Sequence, residues 1–204
     1  MDWRAVLERQ SFLEDDELDV AETLLALSAA DNPDRDLDAE REHLASLSFG
    51  MTDPPSALAL AQRLSGELGY QGDNETYDDM RNADVAEVIR RRRGLPVALG
   101  LLYIVTARQL GWELSGINFP GHFLIRLTTG EGHQIMDPFN GGEVVTPADM
   151  KQMLTVMAGG DARLHPAYMG SVPVRQVIVR LQNNIKIRAL KAGDVAAPSR
   201  SWSG

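Results

Sequence analysis

Residues 97–110 read Val-Ala-Leu-Gly-Leu-Leu-Tyr-Ile-Val-Thr-Ala-Arg-Gln-Leu. Coiled into a helix, this segment carries apolar side chains on nearly every side. Such a helix has no face to give to water, so it must run through the middle of a core with other elements wrapped around it. Pro96 suits its first position and Gly111 its end. The chain has 204 residues, enough for one domain or a domain with an appended lobe. A globule of this size buries roughly 70% of its unfolded surface, so it can enclose such a helix without covalent cross-links.

The segments on either side supply different wrapping. Upstream, the periodicity predicts about four helices in residues 1–70, which together make a helical N-terminal subdomain. One covers 2–10. A second follows Asp15-Asp16-Glu17, acids placed where a first turn favours them, and runs to about residue 30 on Leu18, Val20, Leu24, Leu25 and Leu27. A third spans about 36–48, and a fourth opens at Pro54-Pro55 and closes at Gly69. Residues 71–81 are polar and read as a long ordered loop anchored by Tyr70 and Tyr77. Asn82 is the expected cap of a helix over 83–93, which ends on four arginines and Gly94. Downstream of the central helix, strands are expected at 113–117, 122–127 and 133–136, with Gly130-Glu131-Gly132 as a hairpin turn. Helices at 148–157 and 174–191 follow, with a loop between them. The tail, 191–204, is small and polar and reads as disordered. Helices first and antiparallel strands later make an α+β chain.

Composition removes several chemistries. There is no cysteine, hence no disulfide, zinc finger, iron–sulfur cluster or thiol nucleophile. The start, Met-Asp-Trp-Arg-Ala-Val-Leu-Glu, lacks an apolar run and a cleavage site, so no signal peptide is expected. No window of about 18 apolar residues could span a membrane, and the expected compartment is the cytoplasm. Residues 1–80 hold 20 acidic and 5 basic side chains, and residues 81–204 hold 9 and 15. An acidic front packed on a basic back is one reading, and a separate charged interaction surface is the other. Arg90–Arg93 would suit a nucleic-acid patch, but arginines at a helix end more often cap and pair, so nucleic acid is not the expected partner.

The chemistry-bearing residues lie in the back half. A Cys-His-Asp acyl-transfer site needs a nucleophile at a helix N-terminus, a His on a neighbouring strand as base, and an acid on the next strand to orient it. Helix start, His122 and Asp137 follow that order. Asn118-Phe119-Pro120-Gly121 precedes His122 and would shape a cleft mouth, with Phe119 as a binding residue or as core. Asp137 could also cap the turn Pro138-Phe139-Asn140-Gly141-Gly142, and His122 could be a hydrogen-bonded structural histidine. His122, His133 and Asp137 have the residue types of a metal site, but a 122–127/133–137 hairpin would put His133 at the far end from His122. No metal and no cofactor is expected. Met150, Met153 and Met157 share one helix face, which reads as core.

Three segments, Gly94-Leu95-Pro96-Val97-Ala98-Leu99, Gly121-His122-Phe123-Leu124 and Asp137–Gly142, resemble the transglutaminase-like superfamily. More narrowly, they resemble its branch of SirB1-type proteins. Tyr77-Asp78-Asp79, Asn82, Arg91-Arg92 and Arg180-Leu181-Gln182-Asn183-Asn184 resemble that branch too, and the likeness covers about 70–185. It implies a papain-like core over 71–190, with the central helix against an antiparallel sheet. In catalytic members a Gly-x-Cys opens that helix and a Leu-Gly pair ends it about 15 residues later. Leu110-Gly111 matches the ending, which puts Pro96 in the nucleophile's place, His122 in the base's and Asp137 in the orienting acid's. The resemblance therefore implies a degenerate site. It points to a bacterial pseudoenzyme, a regulatory module that binds a protein or peptide in a cleft shaped by Asn118, Phe119, Gly121 and Asn140. The alternative is a hydrolase or peptidase-like enzyme in which His122 activates water without a thiol. The third reading is a nucleic-acid-linked regulator using Arg90–Arg93. Oligomeric state has no signature in the sequence.

Overall fold

The computed structural model describes residues 2–191 except 31, 33, 53 and 159–162. Its centre is α6 (Pro96–Gln109), with Pro96 in the first turn. Every residue from Val97 to Ala107 is buried. Gly111, at φ +69°, turns the chain out of the helix, and Trp112 packs back into the core.

Four elements precede the site on the N-terminal side: α1 (Trp3–Ser11), α2 (Val20–Ala29), α3 (Asp38–Ala45) and α4 (Ala57–Ala61). Their starts are set by side-chain caps. Asp2 caps α1, Asp19 caps α2 and Ser56 caps α4, each satisfying amides that a first turn leaves open. The acids at 15–17 therefore lie ahead of α2 rather than in its first turn, and Ser56 opens α4 rather than Pro54-Pro55. After α4 the helix widens into a π-helical stretch, Gln62–Glu67, which closes at Gly69, φ +75°.

A short parallel pair, β1 (Gln71–Gly72) with β2 (Arg93–Gly94), flanks α5 (Val85–Arg91). Asp84, not Asn82, caps α5, and the helix ends on Arg92 in the left-handed region at φ 59°. Beyond α6, five antiparallel strands take the order β6-β5-β4-β3-β7. They are β3 (Leu114–Ile117), β4 (Ile125–Thr129), β5 (Gly132–Asp137), β6 (Glu143–Val144) and β7 (Ser171–Val172). β4 starts three residues later than the sequence suggests, so His122 lies in the bend before it rather than on it. β7 falls in a segment that reads as loop.

Strand alternation divides the sheet's two faces. Ile125, Leu127 and Met136 join the main core with α6, α1–α4 and the last helix, α8 (Val174–Lys191). Ile117, Leu124 and Ile135 join a second cluster with Met150 and Leu154 of α7 (Pro147–Ala158). The main core runs without a break from Trp3 to Ile185, so the N-terminal helices and the central helix share one interior. The expected disordered tail, beyond Lys191, lies outside the described residues.

The two ends of the chain are joined by polar contacts. Asp15 accepts from the backbone amides of Val174 (2.7 Å) and Arg175 (3.0 Å), capping α8 from 159 residues away. Near the joint of α3 and α5, His43 Nε2 lies 2.8 Å from the Tyr70 hydroxyl and 2.6 Å from Arg92 Nη1.

A Cβ on Gly100 would stand 2.3 Å from the Phe123 ring, whereas one on Gly66 meets nothing within 4 Å. Gly100→Ala should cost roughly 1–3 kcal/mol of overpacking, and Gly66→Ala should be neutral or stabilising by about 0.4–1 kcal/mol, read from urea midpoints. Burial, then the charges of Arg92 and Arg63, push the His43 imidazole down to about 4. The unfolded state then binds more protons between about pH 4 and the ordinary histidine value near 6.5. The stability this contributes is complete above about 6.5 and is lost as the pH falls toward 4. His43→Gln should flatten that slope.

Candidate functional site

The approach to α6 is locked in place before any functional group appears. The Leu95 amide donates to the Asn82 carbonyl at 2.9 Å, and Pro96 follows as the first helical residue with no side-chain cap ahead of it. Asn82 is fully buried and donates from Nδ2 to the Thr76 carbonyl at 2.7 Å, while Arg91 donates to its Oδ1 at 3.0 Å. Asp73 ties down the rest of the loop. It accepts from the Thr76 amide and hydroxyl, both at 2.7 Å, and from Arg91 Nη2 at 3.0 Å. Burial works to raise the Asp73 pKa, but the bonds from Thr76, Asn82 and Arg91 outweigh it and hold the carboxyl well below the usual range.

Strand register sets the other two positions. Ile125 pairs with Met136 as the last step of the β4–β5 ladder. Asp137 comes one residue past that step, and His122 three residues before it, so both sit at the same end of the sheet. Asp137 is buried, 3% exposed. Its Oδ1 accepts from the amides of Phe139 (2.9 Å) and Asn140 (3.3 Å), and its Oδ2 from Asn140 Nδ2 (2.8 Å). The carboxylate thus organises the 137–142 turn, as Asx side chains do. No hydrogen bond joins it to His122. Among the described residues the His122 ring makes a contact with Phe119, centroids 6.4 Å apart, and no hydrogen bond. Below the turn, a Cβ on Gly142 would meet the Tyr103 hydroxyl of α6 at 2.3 Å. Burial, with the Asp137 charge beside it, pushes that phenol's pKa up.

His122 and Asp137 open onto one cavity of about 390 Å³. Val144, Val145, Met153 and Val156 give it apolar walls. Glu143, Asp149, Asn140 and Gln152 give it polar edges. Asp149 is partly committed, since its carboxylate accepts from the Thr146 amide at 2.8 Å and hydroxyl at 2.6 Å. Those bonds hold its pKa below the usual range.

Of the residues expected at the site, Asn140 lines this cavity with His122 and Asp137. Pro96 stands half-buried at the helix start and is not part of the lining. Asn118 is exposed, and its amide donates to the Gly170 carbonyl. Phe119, 2% exposed, belongs to the second core cluster. Gly121 is exposed at φ +69° beneath Met157, whose sulfur would lie 2.3 Å from an added Cβ. His133 pairs with Thr128 toward the hairpin turn, away from His122. Among the described residues no three metal-ligating side chains converge. The sequence reading missed the α7 wall. Its one signal was the methionine spacing. Met150 is core, Met153 lines the cavity and Met157 is exposed.

An uncapped helix N-terminus lowers a thiol's pKa, and the absence of native cysteine makes an introduced one unique. Pro96→Cys should therefore react with iodoacetamide with an apparent pKa at least a unit below about 8.5. Glu131→Cys, in the exposed hairpin turn, should titrate normally. Equal values for the two would mean that the helix start exerts no such pull.

The model of the transglutaminase-like superfamily matches residues 23–183, from within α2 to within α8. The UPF0162 protein of Xylella fastidiosa is 33% identical over 184 residues, covering 85% of this chain and 66% of its own length. That of Vibrio cholerae is 34% identical over 177 residues, covering 81% and 64%. The chain thus spans about two thirds of these relatives' length. F-box only protein 21 of Homo sapiens is 31% identical over 130 residues, which are 60% of this chain and 20% of that protein. No solved structure matches the chain. No helix among the described residues is long and apolar enough to cross a membrane. The matched span takes in most of α2, the helices α3 to α6 and the whole sheet beside His122 and Asp137, and on that ground the chain belongs to the transglutaminase-like superfamily.

Proposed function

We propose that the chain is a non-catalytic member of this superfamily, of the SirB1-type branch. In this reading it is a cytoplasmic regulatory module that holds a protein or peptide segment in the cavity beside His122 and Asp137. One observation carries the reading. Among the described residues, none of those lining the cavity bears a thiol, a hydroxyl or an amine, so covalent acyl transfer has no such nucleophile there. Pro96, at the place where the resemblance expects that nucleophile, cannot attack an acyl group. The Asp137 oxygens are taken up by the turn, which leaves His122 without the orienting partner that a triad requires.

The cavity is better suited to holding than to cutting. Val144 is 50% exposed and Val156 80% exposed at its rim, and exposed apolar side chains beside polar edges are what a binding face offers. The likeness to one fifth of F-box only protein 21 also fits a module that works inside larger proteins. Of the four binding residues expected from the sequence, Asn140 keeps that role in this proposal.

A photo-crosslinking amino acid at Val156 tests it. In cells of the source organism it should give one adduct of fixed mass. Met153→Asp or Val144→Asp should abolish the adduct, with affinity for the isolated partner falling at least tenfold. His122→Gln should leave it intact. If the partner is instead consumed, and His122→Ala stops its turnover, the protein is an enzyme and the proposal fails.

A further inference from the structure

Arg180, in the segment Arg180-Leu181-Gln182-Asn183-Asn184 of α8, lines none of the cavity described above. It meets His122 from the α8 side. It is half-buried, and its guanidinium lies over the Phe123 ring, 5.4 Å from the centroid. Among the described residues its guanidinium makes one hydrogen bond, from Nη2 to the His122 carbonyl at 3.5 Å, the outer limit for such a bond. Among the described residues no carboxylate stands within ion-pairing distance of it. Burial lowers its pKa, and only the Tyr77 phenol works the other way.

Other half-buried arginines of this chain are better matched. Arg35 holds Asp84 at 2.7 Å and Glu87 at 2.6 Å. Arg91 holds Asp73 and Asn82, both at 3.0 Å. Arg108, which has no acid partner in hydrogen-bond contact, donates to the carbonyls of Leu18 and Asp15 at 2.8 and 2.7 Å. Arg180 spends little of its five-donor capacity on the protein. None of its nitrogens is buried without a partner, so the remaining donors face solvent and are open to a ligand.

Phe123, on which Arg180 rests, fills the space beside Gly100, one helical turn beyond Pro96. Two turns further along α8, Arg188 is 6% exposed and lies 5.3 Å over the Tyr77 ring. Its nearest carboxylate, on Asp78, is 3.9 Å away and largely exposed. Arg188 thus covers Tyr77 with Asp78 as its acid, two turns along α8 from Arg180.

We propose that Arg180 anchors an anion site beside His122, and that its ligand is a peptide carboxylate, from either a chain end or an acidic side chain. The planar fork accepts a carboxylate in two parallel bonds, and partial desolvation strengthens that pairing relative to a surface arginine. The site is separate from the cavity, and its assignment does not depend on what the cavity holds.

The test uses the full chain and the Arg180 Nε–Hε NMR signal, with melting temperature to confirm folding. The probes are acetyl-Gly-Phe-Gly as free acid, the same peptide as its amide, acetyl-Gly-Glu-Gly-amide, and inorganic phosphate. We expect the free acid, the glutamyl peptide or both to shift the signal saturably, and whichever does so identifies the source of the carboxylate. The uncharged amide should be silent. Arg180→Gln should weaken binding at least tenfold. Arg180→Lys, which keeps the charge and loses the fork, should weaken it several-fold and serves if the Gln variant fails to fold. Met153→Asp, in the cavity, should leave it unchanged. Absence of carboxylate binding overturns the proposal. So does binding that survives both Arg180 variants or is lost in Met153→Asp, and so does a response to phosphate alone.

Discussion

Helix α6 has no side that water can solvate, and the rest of the molecule is arranged to cover it. Each buried Leu, Ile or Val of its length is worth about 1.5–3 kcal/mol only if something apolar lies against it. The N-terminal helices, α8 and one face of the sheet each supply part of that cover. Close approaches fix where the cover lands. Phe123 seats against Gly100, and Tyr103 reaches out of the helix to the backbone at Gly142. His122 comes just before the first of these contacts, and Asp137 starts the turn that ends in the second. The two candidate site residues are therefore placed by the packing of the central helix.

Charge follows a second plan. The acidic front and the more basic back of the chain do meet, through Glu40 with Arg90 and Asp73 with Arg91. The sign also runs the other way, since Arg35 of the front half holds Asp84 and Glu87 of the back. Three of the four consecutive arginines are spent inside the fold, on Glu40, on Asp73 and Asn82, and on His43 with Tyr70. Arg92 also closes α5 in a left-handed conformation that glycine more often takes.

What the sequence revealed and what it hid divide along physical lines. The central helix was legible because its apolar run is long, the last helix because its apolar spacing is regular, and the β4–β5 hairpin because glycines mark its turn. Caps were less so. Asn82 and Asp84 are both good caps, and Asn82 was claimed by a buried tertiary bond to Thr76, which no local pattern shows. Tyr77 reads as an anchor like Tyr70, yet it lies 45% exposed against Arg188 while Tyr70 is buried. His122, Asp137 and Asn140 were identifiable by residue type and order. The α7 wall of their cavity was not, because it exists only once Met150 and Leu154 have docked on the far face of the sheet. Whether Asp137 faced its histidine or its own turn was likewise a matter of geometry, and the turn's amides took it.

The bond between Asp15 and the start of α8 also bears on how the chain comes off the ribosome. A carboxylate made within the first twenty residues finds its amides only when residues 174 and 175 have been synthesised. The backbone around it can be held earlier, because Arg108 donates to the carbonyls of Asp15 and Leu18, but the carboxylate itself waits for α8. Closing so long a loop costs only a little more entropy than closing a shorter one, because the penalty grows with the logarithm of length. The consequence is temporal. The cap on α8 joins an early segment to a late one, and it forms only after everything between them has been made.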